Sequence, residues 1–214
     1  MRGAALVAAI TLLATAPAQA KAVPATLPPV DQCKGDASFS QFRATLKRAV
    51  AKQDRAALVR LLAPDVVVNF GGSTGPQAFV EQWSFEPDEP EGIWSLLRIM
   101  LKLGCARDAG ARVIPSLDIQ LDPYYEDMTD ELALILPGAK LYREAGVQSS
   151  RPETIPWTLA AVTSRAGDLF TGVRLPDGRE GLVSDLELYE PQGYRMVVKK
   201  RRGRWMITAF VAGD

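Results

Sequence analysis

The stretch Gly172–Val183, reading Gly-Val-Arg-Leu-Pro-Asp-Gly-Arg-Glu-Gly-Leu-Val, constrains the fold more than any other part of this 214-residue chain. Proline presets φ for the first corner of a type I turn, aspartate tolerates the second, and glycine supplies the positive φ that closes a bulged hairpin. Pro176-Asp177-Gly178 therefore predicts a reversal between two strands. Gly181, two residues into the return strand, predicts a close backbone approach, because a side chain there is replaced by hydrogen.

Apolar runs on either side extend the β pattern: Leu132–Leu136, Ala139–Tyr142, Glu153–Val162, Leu169–Val173 and Leu182–Leu188, punctuated by Gly and Pro. Several short strands at close spacing fit a small barrel. With its Asp177-Gly178-Arg179-Glu180-Gly181-Leu182-Val183 return, Glu131–Glu190 resembles bacterial SH3-like (SH3b) domains. The resemblance implies a small β-barrel that attaches to a ligand. It departs from the signalling SH3 pattern, since only Tyr142 and Trp157 are candidates for an aromatic groove and the acidic, tyrosine-rich first loop is missing. A Pro-x-x-Pro ligand is therefore not expected.

The amino terminus predicts export. Arg2, the short apolar run Ala4–Leu13 and the triplet Ala18-Gln19-Ala20 read as a signal peptide over residues 1–20, and Ala/Pro-rich residues 21–32 as a flexible leader. The expected location is periplasmic or secreted. In an oxidising compartment Cys33 and Cys105 favour a disulfide, with two buried thiols as the other reading.

Composition narrows the chemistry. The chain contains no histidine, which excludes Ser-His-Asp and Cys-His nucleophile systems and histidine-bearing metal sites. Two cysteines cannot build a four-thiolate centre. No phosphate loop, Gly-x-Ser-x-Gly elbow or metal-ligand spacing occurs, so no catalytic residue, metal or cofactor is expected. Carboxylate, lysine or tyrosine chemistry remains. Lys plus Arg equals Asp plus Glu at 25 each, and no basic face predicts a nucleic-acid partner.

From Asp36 the pattern is helical. Phe39, Phe42, Leu46 and Val50 share a face, Asp54 begins a second helix with Leu58, Leu61 and Leu62, and Pro64-Asp65 ends it before a strand at Val66–Phe70. A third helix starts at Thr74 or Gly75 with Pro76 in its first turn. Phe79 and Trp83 share its face; a fourth carries Trp94, Leu97, Met100 and Leu101. The acidic run Glu86–Glu91 reads as a solvated loop. Arg112–Pro115 suggests a strand, and Asp122-Pro123-Tyr124-Tyr125 a turn whose paired tyrosines offer rigid contact area.

The chain closes on a hairpin, Tyr194–Lys200 and Trp205–Val211 about Arg201-Arg202-Gly203, with Trp205, Ile207 and Ala209 as one apolar stripe. Helices, a Pro-Asp turn, a Val-rich strand and this Trp-bearing hairpin resemble the opening and close of the NTF2-like fold. That resemblance implies a barrel inserted into a discontinuous first lobe; otherwise the helical lobe is independent and the hairpin extends the barrel.

The expected class is α+β: a helical lobe over residues 33–130, an SH3-like barrel over 131–190, and a terminal hairpin over 191–214 packing on the lobes. The expected function is a non-enzymatic cell-envelope module binding a protein, peptide or cell-wall component, with Tyr124, Tyr125, Tyr142 and Trp157 as contact residues. The other reading is a small NTF2-like hydrolase or isomerase using carboxylate or tyrosine chemistry in the helical lobe.

Overall fold

The computed structural model describes residues 24–87, 89–90, 92–127, 131–143, 152–165 and 169–213. The expected signal peptide, residues 1–20, lies outside them.

Helix α1 (Ala37–Ala51) starts where the Asp36 carboxylate accepts the Phe39 N–H, and its stripe of Phe39, Phe42, Leu46 and Val50 is buried. Asp54 caps α2 (Arg55–Val59) through the Ala57 N–H. This helix is too short for the expected stripe: Leu58 is its buried residue, and Leu62 already opens strand β1 (Leu62–Val67), which begins four residues earlier than expected. Thr74 and Pro76 start α3 (Gly75–Gln82). Helix α4 (Ile93–Met100) buries Trp94, Leu97 and Met100. Strands β2 (Ala106–Asp108) and β3 (Ala111–Ile114) form a hairpin, followed by α5 (Leu117–Leu121) and a 3-10 turn at Asp122–Asp127.

The second unit comprises β4 (Leu132–Ile135), β5 (Lys140–Leu141), β6 (Glu153–Thr154), β7 (Thr158–Arg165), β8 (Phe170–Arg174), β9 (Glu180–Ser184), a 3-10 turn at Asp185–Glu187 and β10 (Leu188–Tyr189). Its antiparallel sheet has the order β10-β4-β7-β8-β9. Between β8 and β9 the Gly178 N–H donates to the Leu175 carbonyl at 2.9 Å, with Gly178 at φ +86°. Gly181 is needed for closeness: a Cβ there would lie 2.6 Å from the Tyr142 carbonyl oxygen, where Tyr142 and Leu182 exchange backbone hydrogen bonds. Among the described residues no ladder joins β9 to β10, so the sheet is open where a closed barrel was expected.

The terminal hairpin, β11 (Arg195–Arg201) and β12 (Arg204–Val211), forms the middle of the first unit's sheet, in the order β1-β12-β11-β3-β2. It does not merely cover a helical lobe; it supplies the strands that β1 and β3 pair with, β1 in parallel. Pro64 is tolerated because β1 is an edge strand, where a missing N–H breaks no ladder bond on its free side. Val197 pairs with Ala209 and Val198 with Ile207, leaving Thr208 as an extra residue. This bulge flips the alternation, so buried Phe210 follows buried Ile207 on the core side and Ala209 leaves the expected stripe half-buried.

One core joins α1, α4 and this sheet through Phe39, Leu46, Trp94, Leu97, Met196 and Phe210, and it also includes Leu134, Leu159 and Tyr189 of the second unit. A second core within that unit gathers Ile135, Leu141, Ile155, Val173 and Val183. The expected flexible leader is tied down over its described part. The Ala25 carbonyl accepts from the Leu159 N–H at 3.0 Å, that of Pro28 from the Gln120 amide at 3.1 Å and that of Val30 from the Cys105 N–H at 3.0 Å. Cys33 and Cys105 are joined, their Cα atoms 5.7 Å apart, which falls within disulfide geometry. Among the described residues no helix is long and apolar enough to cross a membrane.

Candidate functional site

The four expected contact residues do not form one surface. The Trp157 indole N–H donates to the Leu27 carbonyl at 2.7 Å, so this ring anchors the amino-terminal strap. Tyr142 meets Phe170 edge-on at 5.7 Å between ring centroids. Tyr124 packs half-buried against the first core. Tyr125 lies on the same 3-10 turn, and its side chain lies outside the description. Asp31 stands beside Cys33 and Cys105, but the disulfide uses both sulfurs, leaving no thiolate to bind metal. Asp31 instead pairs with Arg43 at 2.6 Å, and that hydrogen bond holds its carboxyl below the usual range.

A cleft of about 360 Å³ lies between the two units. One wall is built by Trp83, at the end of α3, and Tyr194, just before β11; their rings meet edge-on at 4.6 Å. Tyr194 also stacks on Phe210 and accepts a hydrogen bond from the Gln82 amide at 3.0 Å. The Tyr189 hydroxyl donates to the Tyr194 carbonyl, joining the second sheet to this wall. Leu96 and Ile99, three apart on α4, line a second wall. Leu169 and Leu186, 54% and 46% exposed, stand at the cleft from the other unit. They are two of the four large apolar side chains found exposed among the described residues.

A polar strip crosses this apolar surface. Arg165 pairs with Glu131 and, at 2.6 Å, with Glu190, and donates to the Thr171 hydroxyl at 3.1 Å. Burial opposes the guanidinium charge, but the two carboxylates outweigh it and raise the pKa of Arg165. The buried Thr171 hydroxyl donates to Asp185 at 2.7 Å. Among the described residues the buried Trp83 indole N–H has no hydrogen-bond partner. Such an arrangement suits holding apolar groups beside a carboxylate, while both cleft tyrosine hydroxyls are engaged in positioning bonds.

Sequence patterning placed Trp83 with Phe79 on one helix face and read Leu182–Leu188 as one strand. The 3-10 turn Asp185–Glu187 interrupts that strand and turns Leu186 outward. Its local signal is the Ser-Asp start, a sequence that favours turns. Nothing local indicates that Trp83 and Leu186 face one cleft.

No protein-family model and no curated protein matches the chain. Among solved structures, it is similar to a putative calcium/calmodulin dependent protein kinase II association domain from Xanthomonas campestris, at 12% identity and TM-score 0.31, over 89% of this chain and 97% of that one. It is also similar to the structure named Rd1NTF2_05, carrying five substitutions, at 11% identity and TM-score 0.28, over 82% of this chain and 96% of that one. Likenesses at these scores carry no argument about what the chain does.

Proposed function

We propose that this protein is a non-enzymatic binding module of the cell envelope, periplasmic or secreted, which takes a protein, peptide or cell-wall component into the cleft between its two units. The observation that carries the reading is the placement of exposed Leu169 and Leu186 at a cleft walled by Trp83 and Tyr194. Exposed apolar groups gathered at a concavity are costly in water and mark binding surfaces.

The second unit is an SH3-like fold with an open sheet in this reading. Support comes from the meander β7-β8-β9, the 3-10 turn after it, and the return of β10 to β4. The first unit is NTF2-like, with the β11–β12 hairpin beside β1 and β3 after a long insertion. The hydrolase or isomerase reading needs a pocket with an acid or base inside the helical lobe. That interior is occupied by Phe39, Leu46, Trp94, Leu97 and Phe210; the buried side chains with polar groups among the described residues include serines, threonines and Tyr189, whose hydroxyl is engaged by the Tyr194 carbonyl.

A photo-crosslinking amino acid at position 186, in protein exported to the periplasm, tests the reading. It is expected to trap an adduct that the same group at exposed position 70 does not. Equal labelling from both positions, or turnover of a small metabolite by the purified protein, would overturn it.

A further inference from the structure

The charges around the cleft are unequal. Arg165 is shared between Glu131 and Glu190, and Asp185 accepts from Thr171, with no cation paired to Asp185 among the described residues. The cleft lining therefore carries two carboxylates, Asp185 and Glu190, against one guanidinium, Arg165, beside an otherwise apolar surface. An anionic ligand would meet repulsion there, and a neutral one would leave Asp185 uncompensated as water is excluded. A cation placed beside Asp185 would be attracted by its carboxylate. The volume of about 360 Å³ is at the small end for a binding site, room for a few side chains and not for a folded domain.

We infer that the occupant is an extended apolar peptide segment carrying lysine or arginine, its charge against Asp185 and its apolar side chains between Leu169, Leu186 and the Leu96–Ile99 wall. The inference rests on the cleft being the binding site and adds the chemistry of what enters it. Leu169 and Leu186 supply apolar contact, while the carboxylates select the sign of the ligand's charge.

Fluorescence anisotropy with three labelled, amide-capped peptides tests this, alternating leucine with lysine, glutamine or glutamate. The lysine peptide is expected to bind about tenfold tighter than the glutamine peptide, with the glutamate peptide weaker still. Asp185→Asn, which keeps an acceptor for Thr171, is expected to remove most of that preference. Glu190→Gln, which leaves Asp185 in place, should reduce it. Leu186→Gln should weaken all three peptides, and about 1 M salt should narrow their spread. Circular dichroism melts identify any variant that has unfolded, and the ranking of the peptides on the unaltered protein needs no variant. Equal affinities, preference for glutamate, or no binding of the lysine peptide at millimolar concentration would overturn the inference. If crosslinking from position 186 persists under any of those outcomes, the cleft remains the site and only the ligand chemistry fails.

Discussion

The Trp205 indole N–H donates to the Ser38 hydroxyl at 2.9 Å, tying the last strand to the first turn of the first helix across 167 residues. The same ring meets Phe39 edge-on at 5.2 Å, and the Arg112 guanidinium lies 5.0 Å from its centroid. The ring is half-buried, so it shields the end of the core without lying inside it. Trp205→Ala is expected to cost about 2 kcal/mol, below the range for a fully buried tryptophan. Urea denaturation checks this; an unchanged midpoint would mean that these contacts add no stability.

Asp36 gives the same corner a pH dependence. The Phe39 backbone N–H, then the Ser38 hydroxyl and Arg112, hold its carboxyl at about 2, below the ordinary 3.8. A depressed folded-state pKa contributes stability above the unfolded value and loses it as pH falls through the folded one. The protein is therefore expected to be more stable than Asp36→Ala near neutrality, with the ionisation-linked part of the gap shrinking between about pH 4 and pH 2. Thermal melts of both proteins across that range check it; a gap independent of pH would contradict the assignment.

The Cys33–Cys105 bridge spans a sequence separation of 72 and fixes the amino-terminal strap beside β2. Replacing both cysteines by alanine is expected to lower stability by roughly 4 kcal/mol, from greater freedom of the unfolded chain. The check is guanidinium unfolding of both forms without reductant. Equal stabilities would show that residual structure in the unfolded chain or native strain cancels the gain.

Gly181 gives a prediction confined to the second unit. A methyl group there must displace the Tyr142 carbonyl or the Leu141 side chain, whose Cδ1 would be 2.8 Å away. Gly181→Ala is expected to cost about 1–3 kcal/mol by overpacking. Hydrogen exchange should show the loss first at Tyr142 and Leu182, which bridge β5 to β9. Unchanged protection there would mean that the neighbouring backbone yields freely.

Legibility followed the range of the force involved. Asp36 and Asp54 as helix caps, the Phe39–Val50 stripe and the Pro176–Gly178 reversal depend on groups within a few residues, so their spacing sufficed to read them. The Cys33–Cys105 pairing was legible because only two cysteines exist. The aromatic groove was not, since Tyr142 and Trp157 found separate partners in Phe170 and Leu27. The register of the last stripe also escaped, because one extra residue, Thr208, inverts every side chain beyond it.

By itself, the sequence determined that this chain is helix-rich in its first half and strand-rich in its second, with two cysteines to join and no histidine chemistry. Only the tertiary structure decided that Arg195–Val211 enters the first sheet, pairing β1 on one side and β3 on the other. It alone set Trp83 and Tyr194 opposite Leu169 and Leu186. Strand edges are hydrogen-bonding templates open to any strand, and apolar faces accept any complementary face. The choice among distant partners is made by how the whole chain packs, and no local run of residues encodes it.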